Sequence, residues 1–362
     1  MITGATGFVG AFFLIDLIQK TEAKIYCLTR AKSVKEATER LVKTLQKYLI
    51  WKPEYKNRIV AIPGHLEAPL LGLKSARFHK LTTEIDSIFH IGAFVNHAMS
   101  YEQHRSANVF GTQEIIRLAS IHRLKPLHFI STVAVVEGVK ATKIPENVDI
   151  EKSKDLTNGY VESKWVGEKL ILIARSRGIP CNIFRLPRVS GDSKIGAGPQ
   201  GDFLWRMVQA SLILKMAPQV DLYDDLTPVD YVCEALHIIS TKPKWINSQF
   251  HLVSPYPLRY LSVFKWLKKL GYTLELTDFT TWKNALVERS LQTSDARLQA
   301  LASLLADADF SQPTQRLSLA YNQLQAALKG SGLKCPKVDE TLFKKYVKYY
   351  IEAGFLPDKK CQ

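Results

Sequence analysis

Hydrophobic and polar positions change period along the chain. Short runs rich in β-branched and aromatic residues alternate with longer stretches whose apolar positions recur every three or four residues. The short runs are 24–29 (KIYCLT), 58–62 (RIVAI), 87–91 (SIFHI), 127–131 (LHFIS) and 181–186 (CNIFRL), and they predict strands. The longer stretches predict helices over 8–19, 34–48, 107–122 and 160–175. Alternation of this kind predicts an α/β fold: a Rossmann-like, doubly wound parallel sheet covered on both faces. From about Pro257 the pattern is mainly helical, clearest over 261–270 and 340–353. Gly271 ends the first of these, and 196–201 (GAGPQG) is a turn-rich loop. The expected organisation is a larger α/β domain over 1–250 and a smaller, mainly helical lobe over 251–362. Residues 190–226 are expected to contribute to the lobe.

Composition adds limits. A chain of 362 residues with 46% hydrophobic and 23% charged residues can bury a core without disulfides or metals. The five cysteines, Cys27, Cys181, Cys233, Cys335 and Cys361, are scattered and form no CxxC pair. That suits a reducing compartment and predicts no metal site. No apolar run approaches the roughly 20 residues of a membrane span, and the start has no secretory pattern. A cytoplasmic location without a membrane span is therefore expected. The formal charge is +15, which favours acidic partners. Nucleic acid would rest on charge alone, and none is expected.

The first chemical signal is Gly4, Gly7 and Gly10, spaced GxxGxxG directly before an apolar helical pattern. Glycines permit a tight turn, and the helix start offers free N–H groups to a pyrophosphate. The strand that should precede this loop is cut to Met1 and Ile2, so either the strand is very short or the chain is truncated. Arg30 stands twenty residues after Gly10, where an NAD site usually has an acid. With Lys32 and Arg40 it suits a 2′-phosphate, which predicts NADPH rather than NADH.

The second signal is Tyr160 and Lys164, one turn apart on a predicted helix. An ammonium beside a phenol lowers its pKa and readies it as a proton donor. Ser131 and Thr132 close a strand some thirty residues upstream, at the carboxyl end of the sheet. Thr132 and Tyr160 could jointly hold a substrate carbonyl. The ordered set of glycine loop, hydroxyl and YxxxK is more specific than any one part.

The segments TGATGFVG, CLTR, ISTVAV and GYVESKWVGEKL resemble the extended short-chain dehydrogenase/reductase superfamily. HIGAFVNHAMSYEQHRSANVFGTQEIIRLA, RLPRVSGDS, LTPVDYV and CPKVDETLFKKYVKYYIEAGFLP are similar to one branch. That branch is the thioester reductase domains of nonribosomal peptide synthetases, polyketide synthases and carboxylic acid reductases. The resemblance implies that residues 1–250 form an NADP-binding domain and 251–362 a substrate and carrier-docking lobe. It implies a cofactor site of Thr3, Gly4, Thr6, Gly7, Phe8, Val9, Gly10, Arg30, Arg40, Gly92, Ala93, Tyr160, Lys164 and Pro187. Thr132, Tyr160 and Lys164 would be catalytic, and Asn108 a structural support. The implied activity is NADPH-dependent reduction of a carrier-bound acyl thioester to an aldehyde or, with a second hydride, on to an alcohol. The carrier, charged with phosphopantetheine, would come in trans. Gly191-Asp192-Ser193 matches part of a carrier attachment motif but lies within the reductase pattern. The family's G-D-L reads Gly64-His65-Leu66 here, Ile91 replaces an Asn, and Pro199 replaces a polar residue. A fatty acyl-CoA or acyl-carrier reductase, a sugar-nucleotide enzyme of the same superfamily, and a non-catalytic NADP-binding regulator are the alternatives.

Overall fold

The structure is a computed structural model describing residues 1–154, 156–306 and 317–359. The central sheet has seven strands: β1 (Ile2–Thr3), β2 (Ile25–Thr29), β3 (Ile59–Pro63), β4 (Ile88–His90), β5 (Leu127–Thr132), β6 (Cys181–Leu186) and β7 (Gln249–His251). Their order is β3-β2-β1-β4-β5-β6-β7, and every pair is parallel. All five predicted strands are present, within a residue at each end. The first strand pairs Ile2 and Thr3 with β2 on one side and β4 on the other. Chain order reverses between β1 and β4, and an open α/β sheet binds ligands at the strand ends beside that point.

The flanking helices are α1 (Phe8–Lys20), α2 (Val34–Lys47), α3 (Ser75–Glu84), α4 (Tyr101–Arg105), α5 (Gly111–Ser120) and α6 (Gly159–Ser176). The helix expected over 107–122 starts earlier. Ser100 and Gln103 form a capping box for α4, and residues Ser106–Phe110 form a wide π turn joining it to α5. The YEQHR stretch of α4 carries no apolar stripe, which is why periodicity missed it. Phe78, Leu81, Ile88, Phe129 and Ile183 are among the buried apolar residues that pack on the sheet.

The described chain forms two compact units. The first takes residues 1–189, 229–253 and 317–334; the second takes 190–228, 254–306 and 335–359. The second unit is built around Trp205, which stacks on Phe343 with ring centroids 5.5 Å apart and lies 4.1 Å from Tyr350. The Tyr346 hydroxyl donates to Gly191 O at 2.9 Å and that of Tyr350 to Pro199 O at 3.1 Å. The Gly191-Asp192-Ser193 motif is a turn, in which Asp192 Oδ1 accepts from the N–H groups of Lys194 and Ile195. Among the described residues, no helix is long and apolar enough to cross a membrane, and no cluster of three His, Cys, Asp or Glu could hold a metal ion.

Candidate active site

A groove of about 430 Å³ lies at the carboxyl ends of the strands, within the first unit. Its size is that of a small-molecule site. It brings together Thr3, Gly4, Thr6, Gly7, Phe8, Val9, Gly10, Arg30, Gly92, Ala93, Thr132, Tyr160, Lys164 and Pro187. These residues span most of the unit's length, and the sheet order assembles them.

The glycine loop is shaped by exclusion. Gly4 has φ of +77°, and a Cβ on Gly10 would lie 2.1 Å from Gly4 O. The loop therefore folds back on the first turn of α1 only with a bare backbone there. Gly7 caps α1 without any side-chain acceptor, so the helix start keeps free N–H groups for an anion. A dinucleotide pyrophosphate fits that cradle.

Arg30 is exposed on the rim, just past β2. Arg40 does not line the groove. Its guanidinium donates to Arg30 O, so it holds the backbone beside the rim. The next strand end adds His65, Leu66 and Glu67 to the lining, none of which the sequence singled out as ligands. His65 stands where the resemblance expects an acid.

At the other end, Thr132 closes β5. Its Oγ1 accepts from Ala134 N–H at 3.2 Å, leaving its own O–H for a ligand. Ser131 is buried and lines the groove, and its Oγ has no hydrogen-bond partner among the described residues. A bound ligand would satisfy it. Lys164 is buried, donates to Ile130 O at 2.6 Å and lies 4.0 Å from the Phe129 ring. Burial pushes its ammonium down to about 7, partly offset by the Glu168 charge. Burial pushes the half-buried Tyr160 phenol up to about 12. Among the protein's own groups burial is the only cause acting on this phenol, and it raises the pKa rather than lowering it.

A hydrogen-bonded chain joins the two ends. Gly92 N–H donates to Thr3 Oγ1 (2.9 Å), Thr3 to His90 Nδ1 (2.7 Å), His90 Nε2 to Thr112 Oγ1 (3.1 Å), and Thr112 to Asn108 O (2.6 Å). The direction follows from the ends, because an N–H only donates and a carbonyl only accepts. His90 is therefore neutral with its proton on Nε2, and burial pushes it down to about 3. The Asn108 amide donates to Phe94 O (2.9 Å) and Ser163 Oγ (2.8 Å) and accepts from Phe94 N–H (2.7 Å). Ser163 in turn donates to Tyr160 O (2.7 Å). Asn108 sits in the π turn, which sets its amide between the 92–95 loop and α6.

Residues 2–236 match the family model described as male sterility protein, an NAD-binding family. A linear gramicidin synthase of Brevibacillus parabrevis is 38% identical across 98% of this chain, which spans 7% of that relative. Isonitrile lipopeptide synthase of Streptomyces coeruleorubidus is 33% identical across 99% of this chain, which spans 25% of it. The terminal R domain from the myxalamid PKS-NRPS biosynthetic pathway matches with a TM-score of 0.92 and 39% identity, covering 98% of this chain and 91% of that one. The reductase domain of a nonribosomal peptide synthetase from Mycobacterium tuberculosis shares the fold, with a TM-score of 0.84 at 24% identity, over 98% of this chain and 92% of that one.

Proposed function

The chain belongs to the thioester reductase domains of the extended short-chain dehydrogenase/reductase family, NAD(P)H-dependent oxidoreductases, and from that premise we propose that it reduces a carrier-bound acyl thioester with NADPH. When bound, the reduced dinucleotide supplies a hydride to the thioester carbon. Thr132 and Tyr160 donate hydrogen bonds to the carbonyl oxygen as negative charge grows there. Aimed donors of this kind lower a barrier by about 3 kcal/mol each. Tyr160 then gives its proton to that oxygen. The resulting hemithioacetal splits into an aldehyde and the thiol of the phosphopantetheine arm, after a net transfer of one hydride and one proton, that is, two electrons and two protons.

Lys164 titrates near neutrality, so an anionic dinucleotide favours its charged form. The ammonium then draws down the Tyr160 phenol, which burial alone holds near 12. Arg30 on the rim supports selection of a 2′-phosphate. The carrier arrives in trans or from a neighbouring domain of a longer chain.

The observation that carries this reading is the convergence of Thr132, Tyr160 and Lys164 on one groove that ends at a glycine cradle. The test is product analysis after incubation with NADPH or NADH and either acyl-loaded carriers or acyl-CoA. Aldehyde and free thiol from the carrier substrate with NADPH are expected. Turnover of acyl-CoA alone would favour the acyl-CoA reductase alternative.

A further inference from the structure

The first unit buries a charged cluster that the reaction above does not use. Glu168 and Arg185 are both fully buried. Arg185 Nε donates to Glu168 at 3.1 Å and Nη2 at 2.6 Å. The remaining donors go to Glu146 O (3.0 Å), His251 Nε2 (3.0 Å) and Gln249 Oε1 (2.7 Å). All five guanidinium N–H groups are thereby matched. His251 donates its Nδ1–H to Ala320 O (2.8 Å), so its Nε2 is free to accept, and burial pushes it down to about 3.

The position of this pair matters more than its existence. A buried ion pair is costly to desolvate, and well-packed apolar residues often do as well for stability. Glu168 follows Lys164 by four residues and Tyr160 by eight, so all three share one face of α6. Arg185 lies on β6 directly beside Ser131 of β5. Helix α6 is therefore fastened to the sheet twice, one turn apart. Lys164 binds Ile130 O, and Glu168 binds Arg185. Both fasteners meet the sheet next to Thr132.

We infer that Glu168 and Arg185 are positioning residues for Lys164. The pair fixes α6 against the end of β5, and its carboxylate favours the charged lysine. This rests on the proposed reductase reading. The groups around Lys164 are Glu168 from α6, His90 from β4, and the Phe129 ring and Ile130 carbonyl from β5; Tyr160 stands one turn earlier on α6, and Arg185 is paired with Glu168. His90 is neutral, so Glu168 is the one anion among these.

The test reads dinucleotide binding across pH, with NADPH as the probe and no substrate present. Affinity in the parent protein falls as pH rises through the titration of Lys164. Removing the carboxylate removes support for the ammonium, so Glu168→Gln moves that midpoint down by about one pH unit. Glu168→Asp keeps the charge but shortens the arm. It leaves the midpoint in place while kcat falls about tenfold, with NADPH affinity within about twofold. The inference is overturned if the Gln midpoint coincides with the parent's, or if the Asp variant shifts it equally. Should the Gln variant not fold, an Asp variant with unchanged kcat overturns it alone. A parent that binds NADPH with this midpoint but reduces no thioester refutes the reductase reading instead.

Discussion

At the glycine loop the groove is shaped by what backbone atoms exclude, whereas around Tyr160 it is shaped by side chains that hold one another. The loop needs no partner, but it accepts no added atom: a Cβ on Gly10 would sit 2.1 Å from a carbonyl. The catalytic face depends on side-chain partners brought in from other elements. Asn108 alone binds the 92–95 loop and α6. The first region should fail by overcrowding and the second by loss of a partner.

Four substitutions would break or sharpen that contrast. The largest effect is expected from Tyr160→Phe, which removes the proton donor and should lower kcat by about 10²- to 10⁴-fold. NADPH affinity, read by fluorescence titration, should stay within about twofold; a parallel loss of binding would make Tyr160 part of the binding surface instead. Gly10→Ala should weaken NADPH by about 100-fold, since relieving overpacking costs roughly 3 kcal/mol of backbone shift. A normal dissociation constant for that variant would mean the loop yields easily. Asn108→Ala strands the Phe94 backbone groups and should destabilise the fold by about 2–3 kcal/mol in urea titrations. Its kcat should fall more than its NADPH affinity, and the reverse order would place Asn108 with the loop. The smallest effect is expected from Arg30→Ala, about tenfold on NADPH and none on NADH. Equal losses on both dinucleotides would remove Arg30 from 2′-phosphate selection.

The same contrast explains what could be read from sequence. Gly4, Gly7 and Gly10 are local, and their spacing directly before an apolar helical pattern predicted the loop. Tyr160 and Lys164 are one helical turn apart, so their shared face was also legible. Of the partners of the catalytic face only Asn108 was named, and that through the resemblance; the contacts themselves were not legible, because they form only through the fold. Thr3 and His90 are 87 residues apart, and Asn108 and Ser163 are 55 apart. Neither separation leaves a periodic trace. Arg40 carries the right charge at nearly the right place, and one of its N–H groups donates to Arg30 O, outside the lining of the groove. Ser131 was read beside Thr132 at the strand end, but only Thr132 was given a role. At the end of β5 both residues reach the groove. Proximity of the phenol to a cation was legible in the sequence, whereas its burial was not.

The chain of hydrogen bonds through His90 begins at an amide N–H and ends at an amide oxygen. Neither terminus can surrender or take up a proton at ordinary pH, so this row of hydroxyls and imidazole transmits alignment but conducts no acid. Whatever proton restores Tyr160 after each turnover therefore does not travel along this row.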